Sequence, residues 1–220
     1  MKSWSQTAWH LWAVLANGQR QHVRDLAQTV GVEINALNVH WKQLPPEVQK
    51  QLRQQDGWWQ LKQAMAVLSP QQTQTMSAAT GFAVEVVSEV GSTNDELWAR
   101  WQQGEDIHRQ ALVALQQSHG RGRMQRTWHN VLGQTLMFSI GWQMQSSRHV
   151  LAPLPLVVGL VVQQVLAEHG VQAQLKWPND LVVGQQKLGG ILVESKQRGE
   201  RWHVVAGIGI NVMPPKHEDL

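Results

Sequence analysis

The stretch QLKWPNDLVVGQQKLGGILVESKQRGERWHVVAGIGIN, residues 174–211, decides the fold. Its apolar residues come in short runs bounded by turn formers, not at helical spacing, so it reads as strands over 174–177, 181–183, 190–194 and 202–211. The second and third are close enough, around the turn 184–187, to form a hairpin. Three similar runs lie upstream, at 83–87, 111–115 and 135–142. Helical spacing interrupts them only at 94–102 and 155–169. Strands grouped in this way, instead of alternating with helices one for one, predict an α+β fold built on a mixed sheet.

The residues before this region follow another pattern. Residues 6–16 put Trp9, Leu11, Trp12, Val14 and Leu15 on one apolar stripe, and Asn17-Gly18 ends it. Residues 23–30 form a second helix closed by Gly31, and residues 34–44 a third stopped by Pro45-Pro46. Two helices joined by a short Gly-containing turn are the outline of a helix-turn-helix. Asp56-Gly57 is a hairpin-type turn, and 58–61 a strand that would form a wing. The expected organisation is a winged helix-turn-helix domain over 1–68, a Gln/Thr/Ser-rich linker with room for one helix over 69–81, and an α+β domain over 82–220.

Composition narrows the class. The chain has 220 residues, 42% hydrophobic and 16% charged, with no Cys, so disulfides and thiolate metal sites are excluded. A net charge of +3 is too small to establish nucleic-acid binding by itself. The N-terminus lacks a signal-peptide pattern, and the greasy run 151–165 carries Pro153 and Pro155 and falls short of the roughly 20 residues that span a bilayer. A soluble cytoplasmic protein with no membrane segment is the expectation. Twelve Trp beside two Phe and no Tyr fit aromatic packing positions.

Three clusters carry chemistry. QSHGRGRMQRTW (117–128) alternates Gly120 and Gly122 with Arg121 and Arg123, and adds Arg126 and Trp128. Glycine lets backbone approach a ligand, and arginine supplies a fixed, forked cation for carboxylate or phosphate. KWPND (176–180) puts Lys176 at a strand end, and Lys187 with Gly190 lies on the returning strand. Ser92-Thr93-Asn94 sits where a strand meets a helix, either as an N-cap or as a polar contact to a ligand. Gly207 and Gly209 mark a close approach, for packing or for a ligand. The string is not a G-x-G-x-x-G fingerprint, no P-loop occurs, no G-x-S-x-G elbow occurs, and the ten His show no metal spacing. The chemistry is therefore expected to be electrostatic, with cations stabilising charge on a reacting carboxylate and phosphate.

Taken in order, these strings resemble the biotin–protein ligases. The family pattern STN, Q-x-x-G-R-G-R…W, KWPND, K-L-x-G-I-L-x-E and G-I-G-I-N is matched from Ser92-Thr93-Asn94 to Asn211, in register over roughly residues 89–212. The N-terminal pattern resembles the bifunctional subclass, which also represses biotin synthesis. The resemblance implies a catalytic domain of the biotin/lipoate ligase, class II synthetase-like, type. It implies that biotin and ATP·Mg²⁺ form biotinyl-5′-adenylate and pyrophosphate, and that the acyl group passes to a lysine of a biotin carrier domain. On that basis Ser92, Thr93 and Gln117, with Asn94 beside them, bind the ring end of biotin. Arg121, Arg123 and Lys176 act at the reacting carboxylate and phosphate, supported by Gly120 and Gly122. Arg126 and Lys187 take the ATP phosphates, Trp128 and Asn211 the adenine side, with Gly190 and Gly207 close by; no protein-bound metal is implied. The family also implies a possible homodimer through a sheet-edge strand, sought at residues 190–196.

Three positions depart from the pattern. Met124-Gln125-Arg126 stands where the family usually has R-G-R. The third helix, EINALNVHW, carries Glu33, which would repel DNA phosphate, and only His40 and Lys42 nearby to attract it. The sequence ends at Leu220, whereas the family continues for about another hundred residues, so the last helices and the small β-barrel are expected to be lacking. Two alternatives stand beside the ligase: a biotin-sensing DNA-binding regulator without turnover, and a lipoate ligase of the same fold.

Overall fold

The computed structural model describes residues 4–68, 70–145 and 148–212. The expectations that touch residues 1–3, Ser69 and 213–220 lie outside the described residues.

Helix α1 (Gln6–Leu15) begins at Ser5, whose hydroxyl accepts from the Ala8 N–H, and buries Ala8, Leu11, Trp12 and Leu15. After β1 (Gln21–His22), α2 (Val23–Val30) ends on Gly31 at φ 77°, the left-handed cap that glycine adopts without a Cβ penalty. A 3₁₀ turn, Ile34–Ala36, leads into α3 (Leu37–Trp41), shorter than the expected helix over 34–44. Glu33 makes no side-chain cap there. At the other end Pro45 keeps Leu44 from helical geometry, so the N–H groups of Gln43 and Leu44 make tighter bonds to His40 and Trp41. α4 (Pro46–Gln49) then feeds a hairpin of β2 (Leu52–Gln55) and β3 (Trp58–Leu61), with Asp56 and Gly57 both at positive φ as such a two-residue turn requires. The small antiparallel sheet has the order β1-β3-β2. The segment expected as a linker is mostly α5 (Pro70–Thr80).

The second sheet is built from β4 (Ala83–Val90), β5 (Gln110–Gln117), β6 (Thr135–Met144), β7 (Gln174–Lys176), β8 (Asp180–Val183), β9 (Gln186–Arg198) and β10 (Arg201–Asn211), with α6 (Thr93–Gln102), α7 (Arg148–Leu151) and α8 (Leu154–Glu168) between them. Its order is β4-β5-β6-β10-β9-β8-β7. Only β4 and β5 run parallel, so the sheet is mixed and the molecule α+β. The strand sought as a dimer edge corrects the sequence reading: β9 lies between β10 and β8, and the sheet edges are β4 and β7. Its ladder to β8 ends at Gly190, so beyond that point β9 pairs with β10 alone.

The central strand β10 divides the packing by alternation. Val205 joins Leu97, Trp98 and Trp101 of α6, whereas Ala206 and Ile208 join the cluster against Val158, Val162 and Leu166 of α8. Successive side chains point to opposite faces, so α6 and α8 cover the two sides of the sheet. Gly159 lets α8 sit close: a Cβ there would meet Leu175 Cδ2 at 2.7 Å. The outer side of α8 leaves Leu156, Val157, Leu160, Val161 and Val165 exposed. The helical unit and the large sheet touch directly, because Leu115 of β5 belongs to the N-terminal core and the Ala66 N–H donates to Gly133 O at 2.7 Å. Among the described residues no helix is long and apolar enough to cross a membrane.

Candidate functional site

A cavity of about 640 Å³ opens on the α6 face of the large sheet. Its floor is glycine for steric reasons. A Cβ on Gly207 would meet Asn94 Oδ1 at 2.4 Å, and one on Gly209 would meet the Trp128 indole at 2.5 Å. The two glycines of AGIGIN therefore make room for one side chain each, and Trp128 lies flat on the sheet with Gly190 also against its ring.

One end of the cavity is neutral. Ser92 caps α6 by accepting from the Asp95 N–H at 3.4 Å. The Thr93 N–H and hydroxyl both donate to Gln117 Oε1, at 2.6 and 3.1 Å. With its oxygen so occupied, the Gln117 amide keeps its NH₂, which among the described residues has only the weak acceptor Met137 Sδ at 3.2 Å. Asn130 holds the Gln117 backbone from both sides, accepting from its N–H and donating to its carbonyl. Ser139, fully buried on β6, lies 2.7 Å from Thr93 Oγ1 and 2.6 Å from Asn94 Oδ1. Asn94 spends its amide on Glu194 (2.8 Å) and the Leu192 carbonyl (3.3 Å). It lines the cavity, but its polar atoms are engaged within the protein.

The other end is cationic. The segment after β5 folds back on itself: Gly122 and Arg126, and Gly120 and Trp128, are joined by backbone bonds of 2.7 and 2.8 Å. The turn at its tip places Met124 and Gln125 at φ 54° and 59°, and Met124 is 86% exposed. Gln125 stands where the family pattern has glycine. Arg123 and Arg126 on this loop, and Lys176 at the end of β7, all line the cavity, and none has a side-chain hydrogen-bond or ion-pair partner among the described residues. Trp177, 79% exposed, stands at the rim. The turn after it is tied to β9 by two bonds of 2.9 Å between Asn179 and Ile191.

Arg121 stands apart from the other two arginines of the loop. It lines the cavity, yet its guanidinium is held by carboxylates of the protein: Nε donates to Asp95 Oδ2 at 3.0 Å and Nη2 to Asp95 Oδ1, while Nη1 and Nη2 reach Glu194 Oε1 at 3.3 and 3.2 Å. Its hydrogen bond to Asp95, against the opposing effect of partial burial, pushes its pKa further up. Lys187 is likewise paired, with Asp180 at 2.8 Å, and sits 5.7 Å from the Trp128 ring. Gly120 and Asn211 do not line the cavity. Gly120 is packed where a Cβ would meet the Trp128 carbonyl at 2.8 Å, and Asn211 donates to the Lys187 carbonyl at 3.3 Å.

Of the residues singled out from sequence, Ser92, Thr93, Asn94, Gln117, Arg121, Gly122, Arg123, Arg126, Trp128, Lys176, Lys187, Gly190 and Gly207 meet on one cavity. Sequence reasoning missed Asp95, Ser139 and Glu194, the polar groups that hold this set in place. Asp95 adjoins the STN string and Glu194 closes the K-L-x-G-I-L-x-E string, so both were within reach. Ser139 sits in an apolar strand with no local signal.

A cavity with hydrogen-bonding groups at one end and unpaired cations at the other suits an elongated acid with a polar, uncharged head. The model of the biotin/lipoate A/B protein ligase family matches residues 86–211. The bifunctional ligase/repressor BirA of Escherichia coli (strain K12) is 32% identical over 209 residues, covering 94% of this chain and 64% of that protein. The biotin–[acetyl-CoA-carboxylase] ligase of Mycobacterium tuberculosis is 35% identical over 156 residues, 66% of this chain and 55% of that one. The crystal structure of biotin acetyl coenzyme A carboxylase synthetase from Helicobacter pylori with bound biotinylated ATP superposes with a TM-score of 0.52 at 30% identity, covering 60% of this chain and 62% of that one. The chain thus spans less than two thirds of the length of these relatives.

Proposed function

The chain belongs to the biotin/lipoate A/B protein ligase family, and from that premise we propose that it activates biotin with ATP and passes the biotinyl group to a lysine of a carrier domain of a biotin-dependent carboxylase. The observation that carries this is the division of one cavity into a neutral end at Ser92, Thr93 and Gln117 and a cationic end at Arg123, Arg126 and Lys176. Names borne by the relatives support the substrate: the Mycobacterium protein is a biotin–[acetyl-CoA-carboxylase] ligase, and the Helicobacter protein was crystallised with biotinylated ATP.

In this mechanism the ring of biotin takes the free hydrogens of Gln117 and Ser92. Its carboxylate then lies toward Lys176 and Arg123. A carboxylate oxygen attacks the α-phosphorus of ATP, supplied as its Mg²⁺ complex, and the bond to the bridging oxygen breaks to release pyrophosphate. Negative charge gathers on the phosphoryl oxygens as this happens, and fixed cations there lower the barrier without having to reorganise. Arg126 and Lys187 take the ATP phosphates, and Trp128, whose indole N–H has no partner among the described residues, forms the adenine side with Asn211. The unprotonated carrier lysine next attacks the acyl carbon, forming an amide and releasing AMP. The test is biotin-dependent ATP–pyrophosphate exchange, followed by mass spectrometry of a carrier domain for one biotinyl group. A folded chain that binds biotin and gives neither signal rules the activity out.

The N-terminal elements support a second role. Their order, α2, a turn, α3 and then the β2–β3 hairpin, fits the outline of a winged helix-turn-helix, and the Escherichia coli relative is named a ligase/repressor. Transcriptional repression through operator DNA predicts binding that tightens with biotin and ATP and falls steeply with salt. Homodimerisation through the one-sided part of β9, beyond Gly190, and a cytoplasmic location complete this reading.

A further inference from the structure

Arg121 is the first cation of the loop, and by residue type it belongs with Arg123 and Arg126. Its surroundings set it apart. Asp95, in the first turn of α6, takes its Nε and one Nη, and Glu194 of β9 takes both Nη groups from the other side. Glu194 is itself held, since the Asn94 amide and the Trp98 indole N–H both donate to its Oε2, at 2.8 and 3.3 Å. These carboxylates already use the fork that a substrate carboxylate or phosphate would need. The same residue pairs through its backbone with Thr127 across the loop.

We propose that Arg121 is a positioning residue: it pins the base of the loop 118–128 to α6 and β9, so that Arg123 and Arg126 are presented to the anion, and does not bind the anion itself. The inference rests on the anion-binding reading of the cavity given above. An arginine tied to two carboxylates contributes little net positive charge to the site. It does fix three separate chain segments at one point, next to the Asn94 and Ser139 hydrogen bonds that order the neutral end.

The two roles give opposite outcomes when the carboxylates are removed. If Arg121 binds substrate, Asp95→Asn frees it from a competitor, and the half-saturating biotin concentration in the exchange reaction falls. If Arg121 is a pin, Asp95→Asn and Arg121→Gln produce the same defect. Half-saturation rises by about tenfold or more in both, the size expected for losing a charge-assisted bond, and kcat changes much less. Hydrogen exchange of the ligand-free 220-residue chain supplies a readout that needs no activity. The amides of Gly122, Arg126 and Trp128, bonded across the loop, should exchange about tenfold faster in both variants. Arg121→Lys, which keeps the charge but cannot span both carboxylates, should behave like Arg121→Gln. Unchanged loop protection in Asp95→Asn and Arg121→Gln, or tighter half-saturation in Asp95→Asn, overturns the proposal. A chain that shows the faster loop exchange but no exchange reaction in any form refutes the ligase reading and leaves the pin standing.

Discussion

Gly207 and Asn94 are one decision made twice. Asn94 can reach Ser139, Leu192 and Glu194 because the residue opposite it on β10 has no side chain, and a methyl at Gly207 would sit 2.4 Å from Asn94 Oδ1. Gly207→Ala should therefore cost about 1–3 kcal/mol of stability, from overpacking and from breaking buried hydrogen bonds, and should weaken biotin binding by about tenfold or more. Urea unfolding and calorimetry measure the two effects; an alanine variant with unchanged values for both shows that Asn94 has another arrangement open to it. The loop tip gives the reverse case. Gln125 holds φ 59° beside a Met124 that is largely exposed. Gln125→Gly should stabilise the chain by up to about 1 kcal/mol, the left-handed penalty of a side chain less the entropy that glycine adds to the unfolded state. A melting temperature that falls contradicts the strain. Most cavity residues were legible at this scale because cations and glycines stand out against a Gln-rich background. What escaped were the engaged partners. Nothing about the residue type of Arg121 announces that Asp95 and Glu194, far from it in the sequence, have claimed its guanidinium.

At the scale of elements, apolar runs located every strand of the large sheet but not its extent. β9 continues to Arg198 through the polar residues ESKQR because β10 pairs with it over that whole length. A ladder needs backbone partners, and a partner leaves no mark in the strand's own composition. That polar end also carries a titratable feature. His203 on β10 is 7% exposed, its Nδ1 has no partner among the described residues, and its ring lies 5.1 Å from Trp101. Burial first, and then the nearby Arg198 and Arg201 against Asp106, push its pKa below the ordinary 6.5. Above 6.5 the imidazole is neutral in both states and adds no pH dependence. As pH falls below that value the unfolded chain takes up a proton that the folded chain refuses, so stability declines until the lowered folded pKa is reached. His203→Gln should flatten the fall in urea midpoint in the window just below about pH 6.5. If the slope in that window is the same with glutamine, His203 is not its source.

For the whole molecule, the sequence changes from helical to strand periodicity near residue 82, and nothing in it marks the contacts made across that change. Leu115 belongs to the core of the helical unit, and Gly133 is glycine where a Cβ would meet Met65 Cβ at 2.9 Å. Contacts between distant segments have no period to detect. The other feature of this scale is α8. A helix that is apolar on every side is at home only when both sides are covered, and here one side packs on the sheet while Leu156, Val157, Leu160, Val161 and Val165 face outward. Their spacing puts them on one continuous stripe, and contiguous apolar surface of that kind promotes association. The 220-residue chain should therefore bind an apolar fluorescent probe while folded and self-associate with rising concentration. Leu160→Glu with Val161→Lys removes the middle of the stripe. If each side chain contributes about 1–2 kcal/mol on burial, losing both should weaken association by about 30- to 700-fold in sedimentation equilibrium. Both positions point away from the α8–sheet contact, so the unfolding free energy should stay within about 0.5 kcal/mol of the parent. Equal association of the parent and the double variant would mean that some other surface brings the chains together.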